Sequence, residues 1–202
     1  MKLFHALFAC SAFALCGLTS TAYAAIINIV SISGDSGLGS TVASQIEVEL
    51  TDIGHYTADL TIRNNGDSDT NFVITAVYID YEPCAHMLFV DGPENWGPGA
   101  NPENLPMGSD HGFEADISAS ADDLAIENGI GINESATLKL FLGRYSFDHF
   151  VHALNEHDAR LGLHVQSIGS QNTVDSFVNV PEPGSLALLA LGSLMIASRR
   201  RG

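Results

Sequence analysis

Residues 46–66 read IEVELTDIGHYTADLTIRNNG, and the fold class follows from their alternation. The first five residues alternate strictly between an aliphatic side chain and glutamate. Further along, Tyr56, Leu60 and Ile62 fall on one face of an extended chain, and Asp59 and Arg63 fall on the other. Alternation with a period of two is typical of strands with one buried face, so this stretch predicts two antiparallel strands.

Other segments repeat this pattern. Residues 137–142 and 160–165 alternate in the same way, and residues 174–180 predict a last strand. Residues 72–79 are almost all apolar or threonine, which predicts a central strand buried on both faces. The sequence therefore predicts an all-β fold, an antiparallel β-sandwich of jelly-roll-like type.

Three features interrupt the predicted strands. The sequence Asn-Asn-Gly-Asp at 64–67 predicts a turn that leads one strand back towards the next. Residues 91–110 are rich in proline and predict a long irregular loop around Trp96. Apolar residues at positions 147, 150, 151 and 154 form one stripe at helical spacing, which predicts one short helix over 147–156.

The first 24 residues have the three parts of a secretory signal peptide. Lys2 is followed by an apolar stretch and then by Ala22-Tyr23-Ala24, which predicts cleavage after Ala24. This implies the Sec export machinery and signal peptidase as partners. One alternative is a retained membrane anchor, against which the cleavage site argues. Another is a lipoprotein cut before Cys16 or Cys10, where bulky neighbours argue against processing.

The last 22 residues also have three parts. The parts are Pro181, Glu182 and Pro183, an apolar run at 186–197, and the cluster Arg199, Arg200 and Arg201. The 14 residues at 184–197 span about 21 Å as a helix. A bilayer core of roughly 30 Å requires about 20 residues. The run therefore predicts a short span that holds the chain transiently in the inner membrane, with the arginines as a cytoplasmic stop.

This tail closely resembles the PEP-CTERM sorting signal, in its three parts, their order and their place at the chain end. The resemblance implies recognition by an exosortase, a membrane transpeptidase that processes such tails near Pro-Glu-Pro. It also implies a Gram-negative host that makes exopolysaccharide. A looser resemblance to a β-rich domain of other PEP-CTERM proteins covers residues 72–80, 99–106, 128–130 and 162–169.

Residues 25–180 remain as the predicted ectodomain, between the signal peptide at 1–24 and the sorting tail at 181–202. Eight Lys and Arg against 24 Asp and Glu give the chain a net charge of −16, which argues against a nucleic-acid partner and favours an acidic, soluble exported domain. Cys84 is the one cysteine of the predicted ectodomain, so no intramolecular disulfide is expected there. We expect its thiol to be buried.

Gly34-Asp35-Ser36 resembles the nucleophile block of Gly-Asp-Ser hydrolases. Such an enzyme also needs a late Asp and His on an alternating β/α scaffold, but Asp148 and His152 have the wrong spacing. The same tripeptide recurs at 66–68, as turn composition readily produces it. The sequence therefore predicts a protein that is not an enzyme and has no catalytic residues.

Two groups of residues suggest metal ligands. His149, His152 and Glu156 lie on the polar side of the predicted helix, and His157 follows it. Together they could bind zinc or copper, but a solvated polar face explains the same residues. Asp67, Asp69 and Asn71 alternate as in the first half of a calcium loop, although its glycine and closing glutamate are missing. No cofactor is predicted, and calcium is the one ion left open.

Two functional classes survive. The first is a non-catalytic protein of the cell surface or extracellular matrix, sorted by an exosortase and associated with exopolysaccharide. The second is a carbohydrate-binding module, with or without calcium. Trp96, Tyr78 and Tyr81 are candidates for a sugar-stacking platform, and core packing explains them equally well.

Overall fold

The structure, a computed structural model, describes residues 23–180 apart from residues 35, 85, 94, 123 and 124. Several predicted features lie outside the described residues: Ala22 of the cleavage site, Pro181, Glu182 and Pro183 of the tail, and Arg199, Arg200 and Arg201 of its stop. The boundaries between the three predicted segments therefore stay predictions.

Eleven strands among the described residues form two antiparallel sheets. The strands are β1 (Ala24–Ile26), β2 (Ile29–Ser31), β3 (Ile46–Gly54), β4 (Thr57–Asn64), β5 (Val73–Asp80), β6 (His86–Asp91), β7 (Trp96–Pro98), β8 (Ile117–Ala121), β9 (Ser135–Phe141), β10 (Arg160–Ile168) and β11 (Thr173–Asn179). The first sheet has the order β1-β3-β4-β9-β6, and the second has the order β2-β11-β10-β5-β8-β7. The described chain changes sheet at seven of ten connections between strands. The predicted all-β sandwich is confirmed.

The core lies between the two sheets, where the alternating residues meet. Val48, Leu50 and Leu138 point inward from the first sheet, and Leu163 and Val165 point inward from the second. β5 lies inside the second sheet, between β10 and β8, and six of its eight residues are buried. The strand that was predicted to be buried on both faces is therefore confirmed.

Tyr56 does not share the inward face of Leu60 and Ile62, so this part of the prediction is wrong. Its φ of 59° and that of 55° at His55 place both residues in the tight turn between β3 and β4. The inward position is taken by Ala58, which is fully buried. A turn with two positive φ values directs the ring out of the sheet, and Tyr56 is 56% exposed.

The predicted turn at 64–67 leads from β4 towards the next strand along the chain, β5. β4 lies in the first sheet and β5 lies in the second, so this segment carries the chain across the core. The buried Asn64 organises the crossing. Its Nδ2 donates to the carbonyls of Phe72 and Ile130 at 2.8 and 3.0 Å, and its Oδ1 accepts from the Gly66 N–H at 2.9 Å.

Three α-helices are described: α1 (Gly39–Gln45), α2 (Ala125–Asn128) and α3 (Phe147–Glu156). α3 has the predicted bounds, and its first turn is capped by the Ser146 hydroxyl, which accepts from the His149 N–H at 3.3 Å. The sequence did not predict α1 or α2. α1 buries only Gly39 and Val42, so it has no apolar stripe that a periodicity could indicate.

The predicted loop around Trp96 is partly regular, because it contains β7 and a 3₁₀ turn at Gly108–His111. The chain that follows β7 folds over the outer face of the second sheet. There Leu105 and Phe113 pack on Ala76 and Tyr78 as a small second core. Arg160 fastens this cover, because its guanidinium donates to the Asp80 carboxylate and to backbone carbonyls of the cover.

Candidate functional site

The last strand ends where the predicted sorting tail begins. Asn179, the final residue of β11, is buried, and its side chain bonds two other elements. Its Oδ1 accepts from the Leu161 N–H at 2.8 Å, and its Nδ2 donates to the Leu154 carbonyl at 3.0 Å. The Val180 N–H then donates to the Asn28 carbonyl at 2.9 Å. The fold is therefore fastened up to the residue that precedes Pro181.

The predicted mature N-terminus lies near this exit. β1 begins at Ala24, and only two residues separate β1 from β2, which pairs with β11. Cleavage after Ala24 would remove the first residue of β1 and leave the rest of that strand paired with β3. Both predicted processing points therefore border one region of the sandwich. None of the helices within the described part of the chain is long and apolar enough to cross a membrane.

The residues proposed as a calcium loop form a closed turn around Asp67. Its Oδ1 accepts from the backbone N–H groups of Asp69 and Thr70, both at 2.9 Å, and from the Thr70 hydroxyl at 2.9 Å. The bonds from Thr70 and Asp69 hold the pKa of the Asp67 carboxyl below its ordinary value. Asp69 and Asn71 are exposed. Calcium binding at Asp67, Asp69 and Asn71 stays a prediction.

Ser36, the proposed nucleophile, lies against the carboxylate of Asp175. Its hydroxyl donates to Asp175 Oδ2 at 3.0 Å, while Ser31 and Ser33 donate to the same carboxylate. Asp175 is buried and also accepts from the Ser176 N–H at 2.8 Å. Three serine hydroxyls on one buried acceptor anchor the segment after β2, an arrangement that explains Ser36 structurally.

The polar face of α3 is solvated. His149, His152, Glu156 and His157 are all exposed, and the His149 ring stacks on Tyr145 with 4.5 Å between centroids. Within residues 23–180, leaving out the five gaps, no cluster of three or more His, Cys, Asp or Glu is arranged to hold a metal ion. Cys84 is buried as expected, and burial raises the pKa of its thiol to about 12.

The predicted aromatic platform is not available at the surface. Trp96, Tyr78 and Tyr81 are all buried. The Trp96 Nε1–H donates to the Asn128 carbonyl at 2.9 Å, and the Tyr78 hydroxyl donates to the Pro102 carbonyl at 3.1 Å. Their role as a stacking platform is therefore corrected to core packing and loop anchoring.

A polar cleft of about 540 Å³, which the sequence did not predict, lies on the outer face of the second sheet. Its floor comes from β5 and β10, and its walls come from the end of β8 and from residues 99–101. Its polar lining residues are Thr75, Asn101, Ser120, Asp122, His164 and Gln166. Local sequence patterns do not indicate the cleft, because its residues come from four separate segments.

A β-bulge shapes the floor of this cleft. The pairing of β5 with β10 passes from Ala76 opposite His164 to Ile74 opposite Val165, so Thr75 is the extra residue. The Thr75 hydroxyl donates to the His164 carbonyl at 3.3 Å. Bulges bend a strand and redirect a side chain, and they occur often beside functional sites.

His164 is the titratable group at the floor. Its side chain lines the cleft although the residue is only 7% exposed, and its Nδ1 is buried with no hydrogen-bond partner among the described residues. Burial lowers the pKa of His164, and the negative charge of Asp175 opposes this effect. The imidazole is therefore held in its neutral form, in which one ring nitrogen donates and the other accepts.

Comparison with known families identifies the tail. Residues 179–201 match the PEP-CTERM protein-sorting motif, which confirms the resemblance drawn from Pro181-Glu182-Pro183, the apolar run and the arginines. This motif indicates export, recognition by an exosortase and targeting to the cell surface. No curated protein and no solved structure matches the chain.

Proposed function

We propose that the protein is a non-catalytic component of the cell surface or extracellular matrix that an exosortase cuts near Pro181-Glu182-Pro183. The observation that carries this proposal is the sorting motif at 179–201, which begins at the last residue of β11. The last described strand of the sandwich thus ends where the match to the sorting signal starts. An exosortase would act on the tail without opening the sandwich.

Membrane association is transient in this proposal. The apolar run at 184–197 has 14 residues, whereas a stable span needs about 20. Arg199, Arg200 and Arg201 favour a cytoplasmic end and stop the chain during export. Such a segment pauses a chain in the membrane, and cleavage releases an acidic ectodomain to the outside, where it associates with the exopolysaccharide of the host.

The absence of catalysis is also a proposal, supported by the setting of Ser36. Its hydroxyl proton is directed at the Asp175 carboxylate together with those of Ser31 and Ser33. Activation of a serine nucleophile instead requires a general base that removes this proton, usually an imidazole placed between serine and carboxylate. The three bonds to one acceptor support an anchoring role for the segment.

Substitutions in the tail test the sorting proposal in the host cell. Glu182→Ala should block processing but leave membrane insertion intact, because the apolar run is unchanged. Replacement of all three arginines by Asn should weaken retention before processing, because the positive stop is lost. Glu127→Ala, at an exposed position of the ectodomain, is the control and should be processed normally. Normal processing of Glu182→Ala would contradict the assigned role of the motif.

Carbohydrate binding is the second candidate function. It is favoured by the polar cleft on the second sheet, whose described lining residues carry amide, hydroxyl, imidazole and carboxylate groups and include neither Lys nor Arg. Such groups suit a neutral hydroxylated ligand. A glycan array probed with and without calcium tests whether binding occurs and whether the Asp67 turn assists it.

A further inference from the structure

We infer that the cleft floored by His164 binds one neutral sugar residue of a polysaccharide chain, through hydrogen bonds from His164, Gln166 and the side chains of the opposite wall. This inference rests on the carbohydrate-binding candidate above and assigns it a site. The ligand class follows from the lining, the burial of His164 and the rigidity of the walls.

The lining fits a neutral hydroxylated ligand. Gln166 and Asn101 carry both donors and acceptors, and the Ser120 hydroxyl, whose proton goes to the Gly99 carbonyl, can still accept. Each sugar hydroxyl also donates and accepts, so such groups pair with it in either direction. Among the described residues, Asp122 is the one charged residue of the lining, and no Lys or Arg lines the cleft. Phosphate, sulfate or a uronic acid would find a carboxylate there and no cation.

His164 can offer the cleft one ring nitrogen. Its Nδ1 is buried, has no hydrogen-bond partner among the described residues and lies out of a ligand's reach. Solvent is excluded from Nδ1, which leaves Nε2 as the ring nitrogen through which a ligand can bond. The neutral ring places a single donor or acceptor there, in keeping with an uncharged ligand.

The walls are held in place before any ligand arrives. The Gly99 N–H donates to the Ser118 carbonyl at 2.8 Å, and the Ser120 hydroxyl donates to the Gly99 carbonyl at 3.0 Å. The Tyr78 hydroxyl fixes Pro102 just beyond. A preorganised cleft loses little entropy on binding. Its volume of about 540 Å³ lies within the range of roughly 300–1,000 Å³ that is usual for small-molecule sites.

A matched pair of glutamines on one hairpin provides the test. Gln166 lines the cleft, and Gln171 is exposed in the turn between β10 and β11. The full chain, in a detergent without a sugar headgroup, is first applied to an array of neutral and acidic glycans. The best neutral glycan is then titrated against the wild type, Gln166→Ala, His164→Asn and Gln171→Ala.

We expect binding to neutral glycans, weakened at least fivefold by Gln166→Ala and by His164→Asn and unchanged by Gln171→Ala. His164→Asn alters a buried residue, so if the His164→Asn protein does not fold, Gln166→Ala decides the outcome. Absence of binding to every neutral glycan, preference for acidic glycans, or equal affinity of Gln166→Ala and wild type would overturn the inference. The sorting proposal is tested by a different measurement, the processing of the tail, so either proposal can fail while the other stands.

Discussion

Asn64 and Asn65 are adjacent residues of one type with opposite surroundings, and they test the crossing between the two sheets. Asn64 is fully buried and makes three hydrogen bonds with its side chain. Asn65 is exposed, and its side chain makes no hydrogen bond among the described residues. Replacement of each by Ala changes the same atoms but should have very different consequences.

Asn64→Ala leaves the Gly66 N–H and the carbonyls of Phe72 and Ile130 without their partner. Each buried group that loses its bond costs roughly 1–3 kcal/mol, and water entering the vacated space recovers part of the loss. We therefore expect the free energy of unfolding to fall by about 3–4 kcal/mol. For a domain of this size, 3 kcal/mol corresponds to a melting temperature lower by about 6–12 °C.

Asn65→Ala should change the free energy of unfolding by no more than about 0.5 kcal/mol, as is usual at exposed positions. Urea denaturation followed by tryptophan fluorescence measures both variants, since Trp96 is buried in the core. If the two variants differ by less than about 1 kcal/mol, the three bonds of Asn64 do not hold the crossing, and the described path of this segment is wrong.

Three further predictions concern the core, metal binding and pH. Leu163→Asp should lower the free energy of unfolding by about 4 kcal/mol or more, because it would place an unpaired charge in the core, on the strand between β5 and β11. Glu47→Gln, at the surface, should have little effect. Equal melting temperatures of Leu163→Asp and the wild type would mean that the inward face is misassigned. A chelator should lower the melting temperature by less than about 2 °C, because the Asp67 carboxylate is already hydrogen-bonded within its own turn. A decrease of many degrees would instead establish a calcium site at residues 67–71. The free energy of unfolding should fall as the pH is lowered through about 6.5, because the unfolded chain takes up a proton at His164 that the folded chain excludes. His164→Asn should flatten this part of the plot of unfolding free energy against pH. An unchanged slope in that variant would mean that another group titrates there.

The strands could be predicted from the sequence because burial of one sheet face leaves a local signal. Ile46, Val48 and Leu50 alternate with glutamates, and all three are buried. The bounds of α3 followed from its apolar stripe for the same reason. These features depend on neighbours a few positions apart, which a single sequence records directly.

The crossing at 64–67 could not be predicted in the same way. Its composition indicates a turn, but the sheet to which the next strand belongs depends on bonds from Asn64 to Phe72 and to the distant Ile130. Trp96 was considered for a sugar-stacking platform, although it is buried, for a related reason. The neighbouring sequence of an aromatic residue in a polar loop is the same whether its side chain faces solvent or the core.

The cleft left no local signal at all. Thr75, Asn101, Ser120 and His164 are far apart in sequence and meet only because β5, β8 and β10 are neighbours in the second sheet. The tail represents the opposite case, since its function depends on a contiguous motif that machinery outside the fold recognises. The sorting signal could therefore be predicted from the sequence, whereas the cleft proposed here as a binding site could not.

Mass spectrometry of the mature C-terminus tests the central claim most directly. The protein is recovered from the surface or medium of host cells that process such tails, and its C-terminal peptide is identified. Cleavage near Pro181-Glu182-Pro183 predicts a chain that retains Asn179 and lacks Arg199, Arg200 and Arg201. Recovery of an intact C-terminus ending at Gly202 would contradict exosortase processing and would identify the tail as a short membrane anchor.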